Sequence, residues 1–260
     1  MTAPVAAFGQ GVARSIAWVG ALARFFVHTV AAARWLSGAG RRVVLRVLLR
    51  QVWFTALQAI PIIIVLSSIL SFLVISQATR ELGRLGATEL IGRLMVVAIV
   101  RELGPLLTAL AVVGRSGTAI AAELATNKVQ GEVNALEGMG IDPLHYHVLP
   151  RLGGAVLSLF GLIVFFDLVA VFAGLVAASG AGMTAPRYFE IVLDSLTFRD
   201  VWLTALKGVV FGIVVGMIPS YHGLAIRGTP TEVPVASSQA VVGSIIVIFL
   251  ISGLFVVLLT

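Results

Sequence analysis

Cysteine is absent altogether. That removes disulfides, thiolate metal sites and a cysteine nucleophile together. Charge is scarce. Asp, Glu, Lys and Arg make up 12% of the 260 residues, where a soluble domain usually carries about 25%. No G-x-x-x-x-G-K-[ST] phosphate loop, H-E-x-x-H or G-x-S-x-G occurs anywhere. A chain of this kind does not hydrolyse nucleotide alone, and no catalytic residue is assigned.

What is present is apolar. Hydrophobic residues are 59% of the chain and the mean hydropathy is +1.06. Length alone would allow one or two soluble domains, but the hydrophobic runs overrule it. The net charge of +6 fits basic cytoplasmic loops and anionic lipid. A nucleic-acid surface is disfavoured, because the basic residues are spread among apolar ones.

Lipid cannot hydrogen-bond a bare backbone, so a span must be a helix of about 20 apolar residues or part of a closed barrel. A barrel would show alternating segments of roughly 10 residues; this chain shows long unbroken runs. The expected class is an all-α integral membrane protein: an interfacial N-terminal helix region over 1–50, then a five-helix membrane domain over 51–260. The spans are predicted from about Gln51 to Gln77, Ile91 to Val113, Leu152 to Ala178, Val201 to Ser220 and Val235 to Leu259. Pro61 is expected to kink the first.

The first fifty residues carry Arg14, Arg24, Arg34, Arg41, Arg42, Arg46 and Arg50 among apolar residues, with Trp18, Phe25, Phe26 and Trp35. Arginine plus tryptophan suits the headgroup level better than the hydrocarbon. Arg24 breaks the apolar core that a signal peptide would need. With a cytoplasmic N-terminus, the inside segments hold those arginines plus Arg115, Lys128, Arg151 and Arg227. The outside segments hold only Arg80, Arg84, Arg93, Arg187 and Arg199. Five crossings then leave the C-terminus on the external side, which is the periplasmic one if the membrane is a bacterial inner membrane.

The longest polar stretch, about 114–151, carries helically spaced Ile120, Leu124, Val133 and Leu136. Gly138 and Gly140 supply stops, and Asp142-Pro143 starts a turn. An amphipathic helical hairpin is expected there, as a docking surface. Connectors in helical bundles are usually only about 2–8 residues long. Arg101, Glu102, Asp167 and Lys207 fall inside spans, where each charge costs at least about 2.5–3.5 kcal/mol. They either pair structurally or line a polar path. Pro105 cannot donate to the carbonyl of Arg101, which bends the second helix beside its charged pair. Gly208, Gly212 and Gly216, and separately Ala170, Gly174 and Ala178, form small-residue faces that let backbones approach closely. His145 and His147 near Asp142 are possible metal ligands by residue type, but loop histidines are the plainer reading, and no metal site is assigned.

The run from Arg101 to Leu110, Gly114 to Leu124, Ala135 to Pro143, Pro150-Arg151 and Lys207 to Gly212 resembles the MlaE/YrbE permease family. The similarity extends from roughly Arg50 to the C-terminus. It implies a homodimeric permease subunit of an ABC transporter in a bacterial inner membrane. Such a transporter moves phospholipid or related lipid between inner and outer membranes and supports outer-membrane lipid asymmetry. It further implies a separate ATPase that binds the ATP, so no cofactor in this chain. An MCE-domain partner is implied on the periplasmic side and, in some systems, a small STAS-type subunit. Carried over, Arg101, Glu102 and Lys207 border the lipid path, with Leu66, Leu70, Leu73 and Gln77 as its wall. Glu123, Lys128, Glu132, Glu137, Asp142 and Pro143 would couple to the ATPase.

Two departures stand out. Gln130-Gly131-Glu132 replaces a family Thr-Glu-Gln run, so Gly131 takes a glutamate's place. Ile251-Ser252 stands where the family often has an acid in the last helix, which leaves Lys207 short of a partner. The alternative to an ABC permease is a self-sufficient secondary transporter or channel, with Asp167, Glu102 and Lys207 as an ion relay.

Overall fold

The computed structural model describes the backbone of residues 3–32 and 40–259 and the side chains of 17–31 and 45–258. Arg34 and Trp35 lie outside the described residues, as do the side chains of Arg14, Arg41 and Arg42. Among the described residues there is no strand. Helix α1 is Ala3–Ala32. Helix α2, Gly40–Ala56, passes through one tight turn, Leu57–Ala59, into α3, Ile60–Arg84. Then follow α4, Leu90–Val129; α5, Glu132–Gly138; α6, Leu144–Gly180; α7, Ala185–Ser195; α8, Phe198–Leu224; and α9, Glu232–Leu259.

Five helical stretches are long and apolar enough to cross a membrane: Leu45–Arg84, Leu90–Val129, Leu144–Gly180, Phe198–Leu224 and Glu232–Leu258. Each predicted span falls in one of them to within a residue, and each helix outruns its prediction at one end or both. The largest excess is in α4, which continues sixteen residues past Val113 to Val129. Helix α2 also runs through residues 50 and 51 without a break. The apolar run measures only the hydrocarbon crossing, whereas a helix continues into water for as long as its own hydrogen bonds and neighbours support it. The break near Pro61 falls one residue before α3 begins, and the proline occupies the first turn, where its missing N–H is no loss.

Helices α6 and α8 form the centre. Leu159, Ile163 and Phe166 of α6 and Phe211 of α8 are fully buried. The glycine stripe of α8 is what brings the two together. A Cβ on Gly212 would stand 2.5 Å from the Cα of Val156, and one on Gly216 would stand 2.9 Å from the Cα of Leu152. The stripe of α6 meets other neighbours: Gly174 faces Ser71 and Ile75 of α3 and the hydroxyl of Tyr188. Large apolar side chains such as Leu73, Phe172 and Leu250 point outward. Hydrocarbon is as apolar as they are, so this exposure carries no penalty in a bilayer.

Helix α1 lies against one end of α8. Trp18 Nε1 donates to His222 Nε2 at 3.4 Å, and Phe25 meets Tyr221 edge-on at 5.6 Å. At the opposite end, α7 was not anticipated. Its signal was legible in retrospect: Thr184 in extended conformation, Pro186 in the first turn, then Tyr188, Ile191 and Val192 buried on one face. Tyr188 reaches inward to donate to the carbonyl of Val171 at 3.1 Å.

Candidate functional site

Two regions gather the charged residues singled out in the sequence. The first lies inside the bundle. Helix α4 is wound in wide π-helical turns over Met95–Leu103, and Pro105 follows. Such turns recur at functional positions. Pro105 has no N–H to offer, and Lys207 Nζ donates instead to the Arg101 carbonyl at 2.8 Å. The same ammonium lies 2.6 Å from Glu102 Oε2. Arg101 Nε faces Glu102 Oε1 at 3.5 Å, an ion-pair distance without hydrogen-bond direction. Arg101 Nη1 reaches Asp200 Oδ1 at 3.4 Å. Asp200 is itself held by a capping box. Its Oδ2 accepts from the Thr197 N–H at 3.0 Å and the Thr197 hydroxyl at 2.6 Å.

Two cations and two carboxylates therefore form one balanced network. The Lys207 side chain is 2% exposed and that of Glu102 is 24% exposed. The network opens onto a recess of about 680 Å³. Arg101 and Glu102 border it together with Leu82, Arg93, Val97 and Val256, so α3, α4 and α9 all contribute.

The structure brings Arg101, Glu102 and Lys207 into contact. Of the four expected wall residues, none borders this recess. Leu66 and Leu70 are half-buried against the core. Leu73 borders a separate groove between α3 and α6, and Gln77 is exposed and accepts from Arg80 at 3.0 Å. Asp167 stands apart. Its buried Oδ1 has no hydrogen-bond partner and points at Gly104, where a Cβ would be 2.7 Å away.

The second region is the hairpin. Helix α4 carries straight on to Val129 and turns back at Gly131, which has φ +79°. Helix α5 follows and ends at Gly138, and Gly140 takes φ +73° beyond it. Asp142 Oδ1 accepts from the Leu144 N–H at 2.8 Å and so caps the start of α6. Glu132, Glu137 and Asp142 are exposed. Glu123 is tied down by Arg151 at 3.0 Å, and Lys128 donates to the Leu224 carbonyl at the end of α8. Those two side chains knit the hairpin to the bundle, while Glu137 and Glu132 are exposed, Glu132 at the rim of a recess it shares with Arg50 and Arg151. His147 is buried with Nδ1 3.5 Å from the Arg151 guanidinium.

The profile of the family described as Permease MlaE matches residues 48–258. This chain belongs to the MlaE permease family. It is 31% identical over 216 residues to a probable ABC transporter permease of Rickettsia typhi, covering 83% of each chain. It is 27% identical over 203 residues to the intermembrane phospholipid transport system permease protein MlaE of Haemophilus influenzae, covering 77% of this chain and 78% of that one. It is 31% identical over 209 residues to the chloroplastic protein TRIGALACTOSYLDIACYLGLYCEROL 1 of Arabidopsis thaliana, covering 78% of this chain and 58% of that protein.

Within this MlaE permease both departures acquire a physical reason. Gly131 sits in the left-handed region, which a glutamate enters only at a cost of roughly 1–2 kcal/mol. The substitution thus accompanies a tight hairpin turn. Lys207 does not lack a partner, contrary to expectation. Glu102 and the Arg101 carbonyl hold it, and the Phe255 ring of α9 lies 5.8 Å from its Nζ. Sequence reasoning missed two contributors. Asp200 was not singled out, although Thr197 three residues before it signals a capping box. Arg115 looked like a loop cation. It donates to the Phe54 carbonyl at 3.0 Å and to Gln58 and stacks 4.9 Å over the Phe54 ring. A second wide turn, Val113–Gly117, is thereby bound to the junction between α2 and α3.

Proposed function

We propose that this MlaE permease is the membrane-spanning subunit of an ABC transporter for phospholipid or a related lipid, and that the ATP is bound and hydrolysed by a separate subunit. The observation that carries the reading is the Asp200–Arg101–Glu102–Lys207 network at the edge of a partly apolar recess between spanning helices. An amphipathic substrate needs such a surface, with apolar wall and polar groups side by side. The family membership and the phospholipid transport named for the Haemophilus relative support it.

In this reading two copies pair in a bacterial inner membrane, with the N-terminus cytoplasmic and the C-terminus periplasmic. Exposed α5 enters the ATPase, an MCE-domain protein receives or supplies lipid on the periplasmic face, and a STAS-type subunit joins on the cytoplasmic face. The ion-relay alternative draws no support, because no hydrogen bond or ion pair joins Asp167 to Glu102 or Lys207 among the described residues.

The test uses the exposed side of the hairpin, since changing Glu123 would also break its pair with Arg151. Glu132→Lys combined with Glu137→Lys reverses two charges on α5. The expected result is loss of the co-purifying ATPase subunit, with the mutant chain still accumulating in the membrane. Full retention of the ATPase by this double variant would refute α5 as the docking element. ATP-independent lipid movement by the purified chain alone would refute the ABC assignment.

A further inference from the structure

The recess holds two arginines, and only one is already satisfied. Arg101 is engaged by Asp200 and Glu102, and with Lys207 that group sums to zero net charge. It exerts no net pull on an anion. Arg93 borders the same recess, is exposed, and pairs with no carboxylate among the described residues. It also stands in the first turn of α4. The helix macrodipole is positive at that end, so a cation there is disfavoured unless an anion answers it. Gly92 fixes the direction. It is buried against the backbone of Ile191 in α7, so that side of the turn is closed. Leu94 and Val97, also on the recess, are exposed apolar side chains. Arg93 precedes Arg101 by eight residues along α4, at the end of the bundle remote from the hairpin. The recess thus has a cationic mouth, an apolar wall and a neutralised floor.

We propose that Arg93 binds the phosphate of the transported lipid, making the phosphodiester, and not the glycerol ester, the feature by which the recess selects its substrate. The inference rests on the lipid-permease reading and adds the chemical group recognised. A guanidinium offers two parallel N–H donors to two phosphate oxygens, which a neutral glycerolipid cannot accept in that form.

The experiment uses the full chain with its co-purifying subunits in detergent. Two probes carry the same acyl-chain nitroxide, one on phosphatidylglycerol and one on diacylglycerol. Arg93→Ala is expected to weaken phosphatidylglycerol binding about tenfold, the scale of one charge-assisted hydrogen bond, and to leave diacylglycerol unchanged. Arg93→Lys is expected to fall between, and Arg84→Ala, which removes an exposed cation elsewhere, to match the parent. Inorganic phosphate at millimolar concentration is expected not to displace the probe, because the acyl chains supply much of the binding. Equal losses for both probes would make Arg93 a structural residue, and no loss for either would place the phosphate elsewhere. Displacement by inorganic phosphate would mean a soluble-anion site. Each of these three overturns the proposal while the lipid reading stands. A parent complex that binds neither probe would overturn both.

Discussion

Replacing Glu102 with leucine is expected to destabilise the chain severely, and replacing Lys207 with methionine in the same chain is expected to recover most of the loss. Lys207 is the more deeply buried partner, and its ammonium lies 2.6 Å from Glu102 Oε2. Removing only the carboxylate leaves a buried cation beside Arg101, itself a cation. Breaking one side of a buried pair typically costs about 3–5 kcal/mol, whereas removing both charges together is often close to neutral. In the double variant Arg101 still faces Asp200, so the remaining charges balance. Thermal unfolding of the detergent-solubilised chain, read as a double-mutant cycle, measures the coupling. A Glu102→Leu chain as stable as the parent would show that the pair contributes nothing. Lipid transfer by the whole complex gives the second readout, and the double variant is expected to be folded but inactive. Parental transfer rates would demote the pair to a structural role.

The second large effect is expected at Gly212. A methyl group there would lie 2.5 Å from the Val156 Cα and 3.1 Å from its N. The obstacle is backbone, so no side chain can swing away and α8 must part from α6. Overpacking of this kind costs about 1–3 kcal/mol for small additions and occasionally more. Gly212→Leu is expected to abolish recovery of folded protein, and Gly212→Ala to lower the unfolding temperature clearly. Gly161→Ala is the control, because nothing stands within 4 Å of its added carbon. It should hold or raise stability, since alanine favours a helix by about 1 kcal/mol over glycine. Similar behaviour at both positions would disprove the close α6–α8 contact.

Much of this protein was legible because the bilayer imposes a one-dimensional rule. A run of apolar residues long enough to cross must be a helix, so the five spans could be read directly. The small-residue stripes announced close contacts, but which helix each would meet was not written in them. Gly212 found Val156, while Gly174 found α3 and Tyr188. The hairpin could be placed from Gly138, Gly140 and Asp142-Pro143, each of which acts through its immediate neighbours. The partners of Lys128 and Glu123 could not be read locally, because Leu224 and Arg151 lie far along the chain. The spacing of Leu66, Leu70, Leu73 and Gln77 likewise shows one flank of α3 without saying what that flank faces.

The order of spans, the hairpin between the second and third, and the presence of charge inside the membrane follow from local composition alone. Hydrocarbon penalises every residue it touches independently, so a single chain read in sequence registers that pressure. The pairing of those charges, the recruitment of Asp200, and the recess that Arg93 shares with Arg101 depend on how α3, α4, α8 and α9 approach one another. Pair energies fall off within a few ångströms, and only the packed bundle brings residues a hundred positions apart that close.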